Sequence, residues 1–338
     1  MTTSARKLLP LAATLALVAA LAACSGSDDA GPAPTEAAEA GGWTFTDDRG
    51  ETISLDEPPE VIAADASSAG GLWEYGIAVE GGVFGDITFA DGSPHPAIGL
   101  ADPDDLDAVG DTTAINLEQL ASRRPQLIVA AMWSEDDFYG IDADQVDEVA
   151  QLAPIVGIRV DGRPVTEPLA RIAELAESLD PDAADAVAQA RAAFDESSDG
   201  LRTANEANPE LLVVAASGSA TEMYVAYPPI WPDLSYYQEL GTNLVEPEDH
   251  PTSGGFWETL SWEEAGTYPA DLVMVDARGG SLDDIRELIP ATALSLPALA
   301  ADQLVLWPAV HAYGYGDVAE NLDALAAAVA AADPTVGD

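Results

Sequence analysis

The chain reads as an α/β fold of two related lobes bridged by one long helix, and three observations predict it. Short apolar runs at 61–64, 127–131, 211–215, 272–275 and 304–306 alternate with helical patterns, the βα rhythm of parallel sheets. Two segments look like copies: Glu118-Gln119-Leu120 leading to Pro125-Gln126-Leu127, and Glu263-Glu264-Ala265 leading to Ala270-Asp271-Leu272. Between the copies lies a helical pattern of about 25 residues, roughly 40 Å at 1.5 Å per residue, which suffices to span two lobes.

The first residues read as an address. Arg6 and Lys7 precede an apolar run over 8–20, too short for a comfortable transmembrane helix and placed like a signal-peptide core. The run ends in Leu21-Ala22-Ala23-Cys24, which resembles the lipobox of bacterial lipoproteins, where the Cys receives a lipid and becomes the mature N-terminus. Cys24 is the only Cys of the chain, so a disulfide within it is not available. Residues 1–23 are thus expected to be a lipoprotein signal peptide, and 24–42, rich in Ser, Gly, Ala, Pro and acids, a disordered tether.

The folded body is expected from Trp43, with an N-terminal lobe over 43–180, a connecting helix over 181–208 and a C-terminal lobe over 209–338. Alternating runs flank Asp48-Arg49-Gly50, which predicts a β-hairpin because Gly supplies the positive φ of the turn. Residues 167–179 read as a helix. Asp180-Pro181 then signals a second helix start, since Asp caps free N–H groups and Pro fits the first turn. Val187, Ala190, Phe194 and Leu201 share one face of that helix, Gly200 is its weak point, and Asn208-Pro209 is the next breaker. Each lobe also carries a Glu two residues before a Gly ahead of an apolar stretch: Glu74-Tyr75-Gly76 and Glu239-Leu240-Gly241.

Composition bounds the chemistry. Sixty Asp and Glu against twelve Lys and Arg give a formal net charge of −48, which repels phosphate backbones and excludes nucleic acid as a partner. A secreted hydrolase is the enzyme alternative, but no Gly-Xaa-Ser-Xaa-Gly elbow occurs, and Ser217-Gly218-Ser219 lacks the flanking glycines. No Gly-rich phosphate loop is present. Histidine ligation of a metal would have to gather His95, His250 and His311 from far apart, so no direct metal site is expected. Aromatics are more informative: Trp133, Tyr224, Tyr227, Phe256, Trp257, Tyr313 and Tyr315 sit in expected loops after strand ends, where α/β sheets face ligand crevices.

Taken in order, the lipobox, the tether, Phe45-Thr46-Asp47-Asp48-Arg49-Gly50, Pro58-Pro59, Asn116-Leu117-Glu118, the 125–129 strand, the long helix and Leu260-Ser261-Trp262-Glu263 resemble the ferric-siderophore and cobalamin solute-binding proteins of ABC importers. The resemblance covers about residues 43–332. It implies two Rossmann-like lobes joined by one long α-helix, a ligand cleft between them and only modest closure. It also implies a non-catalytic, monomeric receptor, lipid-anchored on the extracytoplasmic face of the cell membrane, that serves a permease and its ATPase.

Gly255-Phe256-Trp257 and Val310-His311-Ala312-Tyr313-Gly314 look most like the hydroxamate-siderophore binders. Carried over by position, the resemblance nominates Trp257 and Tyr313 as aromatic walls and Trp133 opposite them, with His311 standing where Trp is more usual; Tyr224, one of the aromatics expected after a strand end, joins them as a ligand-binding candidate. The Arg usual before Asn-Leu-Glu is missing, and Asp111-Thr112-Thr113 stand there; Arg278 is the candidate replacement donor, or else only a partner for Asp276. Charge favours a near-neutral trihydroxamate complex over a trianionic tricatecholate one. The rival ligands in the same class are haem, with His311 or Tyr313 as axial ligand, and cobalamin. The resemblance further implies one acidic permease-docking residue per lobe, for which Glu74 and Glu239 are the candidates.

Overall fold

The computed structural model describes residues 42–110, 115–135, 137–248 and 255–337. The expected signal peptide, Cys24, the tether before Gly42, Asp111-Thr112-Thr113 and His250 lie outside the described residues.

Strands β1 (Trp43–Thr46) and β2 (Thr52–Leu55) form the expected antiparallel hairpin, with Gly50 at φ +79° in the turn. Charge pins it to the first lobe. Asp47 accepts the backbone N–H of Gly157 at 3.0 Å, and Asp48 accepts that of Arg159 and the Arg171 Nε, each at 2.8 Å.

The first lobe follows. Strand β3 (Ile62–Asp65) enters helix α1 (Ala66–Glu74), which leads to β4 (Gly82–Phe84). Helix α2 (Leu117–Arg123) precedes β5 (Leu127–Ser134) and the short β6 (Asp137–Phe138). Helix α3 (Val146–Ala150), β7 (Ile155–Arg159) and α4 (Thr166–Leu179) complete it. Asp65 is the N-cap of α1, accepting from the backbone N–H groups of Ser67 and Ser68.

Helix α5 (Ala183–Ala207) spans the interval the sequence reserved for a connector. It begins two residues after Pro181, because the Asp180 carboxylate accepts the N–H of Asp182 ahead of the first turn. The predicted face is used: Val187, Phe194 and Leu201 are buried and Ala190 partly so.

The second lobe contains β8 (Leu212–Gly218), β9 (Glu222–Ala226), α6 (Pro232–Glu239), β10 (Asn243–Leu244), β11 (Trp257–Ser261), β12 (Leu272–Asp276), α7 (Leu282–Leu288), α8 (Pro297–Ala300), β13 (Leu304–Trp307) and α9 (Tyr315–Ala331). Four loop placements are corrected. Tyr224 and Trp257 stand on the paired antiparallel strands β9 and β11, because the alternation of Glu222–Ala226 and Trp257–Ser261 lets each strand bury alternate residues. Trp133 lies within β5, which runs on past the apolar stretch to Ser134, and Tyr315 opens α9.

Parallel pairing orders the four main strands alike in both lobes. The first lobe runs β4-β3-β5-β7 and the second β10-β8-β12-β13, in each case second, first, third, fourth. The two sequence copies fall on equivalent strands, β5 and β12. One apolar core joins the inner faces of both sheets with α5 and α9, and two satellite clusters cover the outer faces. Helix α9 lies along α5, where Phe194 meets Tyr315 at 5.4 Å and stacks on Tyr236 at 5.5 Å. No helix among the described residues is long and apolar enough to cross a membrane.

Candidate functional site

Aromatic side chains from the two lobes meet at the end of β5. Trp133, next to last in β5, touches Phe256 edge-on at 5.2 Å and Trp231 at 5.9 Å, both from the second lobe. Trp231 in turn meets Trp257 at 5.0 Å and Trp307 at 5.2 Å. Five rings thus form one box between the sheets. Edge-to-face geometry places the positive rim of one ring on the negative face of the next, so the contacts are favourable without a ligand.

Polar groups border the box on two sides. Arg278, in the turn after β12, lies 5.9 Å from the centre of Trp257. Asp276 takes its Nε and Nη2, the latter at 2.6 Å, so the pairing alternative holds for those two nitrogens. The Nη1 group makes no hydrogen bond among the described residues. Below the box, the Trp307 indole N–H donates to Asp233 Oδ2, while Asp233 Oδ1 is buried without a partner. His311 is buried beside them. Its Nδ1 lies 2.9 Å from the Ala312 carbonyl, which fixes the N–H there, and its ring meets Tyr313 at 5.5 Å.

Burial controls the protonation of these groups. It raises the carboxyl of Asp233 above the usual range, and the charge of His311 opposes that rise. Tyr313 is pushed well up, first by burial and then by repulsion of a phenolate from the ionised forms of Asp65, Tyr139 and Asp233. Tyr139 is pushed up to about 12 by burial and by Asp65. Both phenols therefore stay protonated at neutral pH and remain hydrogen-bond donors from opposite lobes.

The structure brings together Trp133, Trp257, Arg278, His311 and Tyr313, and leaves Tyr224 apart. Tyr224 donates its hydroxyl to Glu222 at 2.9 Å and meets none of the box rings. Sequence reasoning missed Trp231, Trp307 and Tyr139. Trp231 lies between Ile230 and Pro232, Trp307 precedes Pro308, and Tyr139 precedes Gly140, so each carried a loop signal in the adjacent breaker. Among the described residues no group of three or more His, Cys, Asp or Glu is arranged to hold a metal ion.

The two docking candidates differ. Glu239 is exposed at the end of α6. Glu74 is not a free carboxylate: it accepts the N–H of Gly316 at 2.7 Å and of Asp317 at 3.2 Å, capping α9, while the Tyr75 hydroxyl accepts that of Tyr315 at 2.9 Å.

No protein-family model matches the chain, and no curated protein sequence does. Solved structures do match. The ferric-siderophore receptor protein DesE from Streptomyces coelicolor is 37% identical, with a TM-score of 0.81, over 86% of this chain and 99% of that one. A siderophore periplasmic binding protein from the fuscachelin gene cluster of Thermobifida fusca shares the fold at 19% identity and a TM-score of 0.56, over 80% and 96% of the two chains. FhuD from Vibrio cholerae, solved with Fe3+-Desferal, does so at 17% identity and a TM-score of 0.56, over 82% and 100%. The matched length, the TM-score of 0.81 and the 37% identity to DesE place this chain in the family of ferric-siderophore solute-binding receptors.

Proposed function

We propose that the chain captures a ferric siderophore of the hydroxamate type between its lobes and delivers it to an ABC permease, without making or breaking a bond. The observation that supports this most is the five-ring box spanning the lobes in a chain 37% identical to a ferric-siderophore receptor. Aromatic walls suit the aliphatic and amide arms of such a ligand, and the donors at its edge suit the oxygens around iron. Arg278 Nη1 is the charge-assisted donor, with the Tyr139 and Tyr313 hydroxyls as neutral ones. Burial of the siderophore requires Trp133 to part from Phe256, because rings 5.2 Å apart leave no room between them.

In this reading the protein is exported, lipidated at Cys24 and held outside the membrane by residues 24–42, with Glu239 as the remaining candidate for permease docking. Tryptophan fluorescence of residues 25–338 tests ligand capture, in parallel titrations with a ferric trihydroxamate, a ferric tricatecholate, haemin and cobalamin. Saturable quenching by the trihydroxamate at or below about 1 µM, weakened at least tenfold in Trp257→Ala, is expected. Silence with the trihydroxamate and saturation by another compound would replace the ligand class and keep the receptor fold.

A further inference from the structure

We propose that His95 reads the ligand in this cleft, as an uncharged imidazole whose Nε2–H is presented between the lobes to donate to a ligand oxygen. The proposal rests on the siderophore reading above and names a residue that the aromatic box did not include.

His95 closes a small hairpin in the segment that follows β4. The hairpin begins just past the end of β4, with Phe89 N–H bonded to the Ser93 carbonyl at 2.8 Å and His95 N–H to that of Ile87 at 3.0 Å. Gly92 makes the turn at φ +87°. His95 is only 6% exposed, and its ring packs on Phe89 at 5.0 Å. Its Nδ1 accepts the backbone N–H of Ala97 at 3.2 Å and therefore carries the lone pair. A neutral ring so held keeps its proton on Nε2. That Nε2 makes no hydrogen bond among the described residues.

The turn that His95 caps packs on the opposite lobe: a Cβ built on Gly99, which ends that turn, would lie 2.6 Å from the Cβ of Ala312. Arg278 and Asp276, at the end of β12, act on the ring electrostatically together with Asp86 of its own lobe. The hairpin tip behaves likewise, Asp91 acting on Asp284 in the first turn of α7. Burial holds the imidazole below its ordinary range, so it stays neutral at physiological pH. Protonation would also place a second proton on Nδ1, against the Ala97 N–H. The cleft thereby gains a donor without a positive charge, suited to the oxygen-rich surface of a near-neutral ferric complex.

A purely structural role as the cap of the turn at Pro96–Ile98 is the competing explanation. His95→Asn separates the two, because the Asn carbonyl still accepts from Ala97 while its amide is too short to take the place of Nε2. With a ferric trihydroxamate, His95→Asn should bind about ten- to a hundredfold more weakly than wild type, with an unchanged Tm. Wild-type binding together with equal affinity in His95→Asn overturns this proposal alone. Failure of the wild type to bind any siderophore overturns the underlying reading and this proposal with it. Ring 15N spectra with the diamagnetic gallium(III) complex add a second readout. His95, identified by its loss in His95→Asn, should show a neutral Nε2–H ring that shifts on saturation, whereas an Nδ1–H ring or an unmoved signal overturns the assignment.

Discussion

Asp317 shows how much a single carboxyl governs here. It is buried at the start of α9, accepts the Ala312 N–H at 3.1 Å, and is raised well above the usual range, first by burial and then by the charge of Glu74. Asp65, Asp233 and Glu74 are raised as well, in each case chiefly by burial. A group whose folded pKa is raised binds its proton more tightly folded than unfolded. Its stabilisation is present at low pH and lost as pH rises through the folded value. Thermal unfolding should therefore give a higher Tm at about pH 5.5 than at about pH 8. Asp317→Asn, which keeps the acceptor for Ala312, should raise Tm at the alkaline end and flatten the profile. An unchanged profile would remove Asp317 from this role. At the same scale, position after apolar strand runs, together with the family resemblance, found Trp133, Trp257 and Tyr313. It hid the environment that decides a polar residue's part: Glu74 looked like any surface acid until α9 was placed on it, and Tyr224 had no visible reason to turn to Glu222.

Among the elements, α5 was legible because its apolar spacing and breakers are local signals, while the strands β9 and β11 were hidden by the polar residues on their second faces. Gly200 remains the weak point foreseen in α5: it is exposed, and a Cβ there would meet nothing within 4 Å. Gly200→Ala should stabilise the chain by about 0.5–1 kcal/mol in denaturant unfolding, and a loss of stability would show that the helix needs its flexibility there. The clasp between α1 and α9 is the element-scale device that no local pattern revealed. Glu74 and Tyr75 end α1 and receive the first N–H groups of α9, which ties the last helix of the second lobe to the first lobe. Glu74→Ala should cost about 1–2 kcal/mol, with Glu74→Gln recovering a good part because its carbonyl still accepts. Equal losses in the two variants would shift the clasp's contribution from the accepted hydrogen bond to the charge.

For the whole molecule, charge and topology set the behaviour. A formal net charge of −48 repels itself in the compact state, so raising salt from about 10 mM to about 150 mM should raise Tm by screening. A flat response would mean that the surface acids are spaced too widely to interact. The duplicated strand order was foreseen from two short sequence copies, because the same helix start and strand entry recur in each lobe. The meeting of the lobes through Trp133, Trp231 and Phe256 was not, because contacts between residues about a hundred positions apart leave no periodic trace. If the ligand's iron sits between these lobes, anomalous diffraction at the iron edge from crystals grown with a ferric trihydroxamate should show one strong peak between Trp133 and the side chains of Arg278 and Tyr313, with the Trp133–Phe256 contact opened. A peak on any other surface, or a cleft still closed by its own rings in a protein that binds the complex in solution, would contradict it.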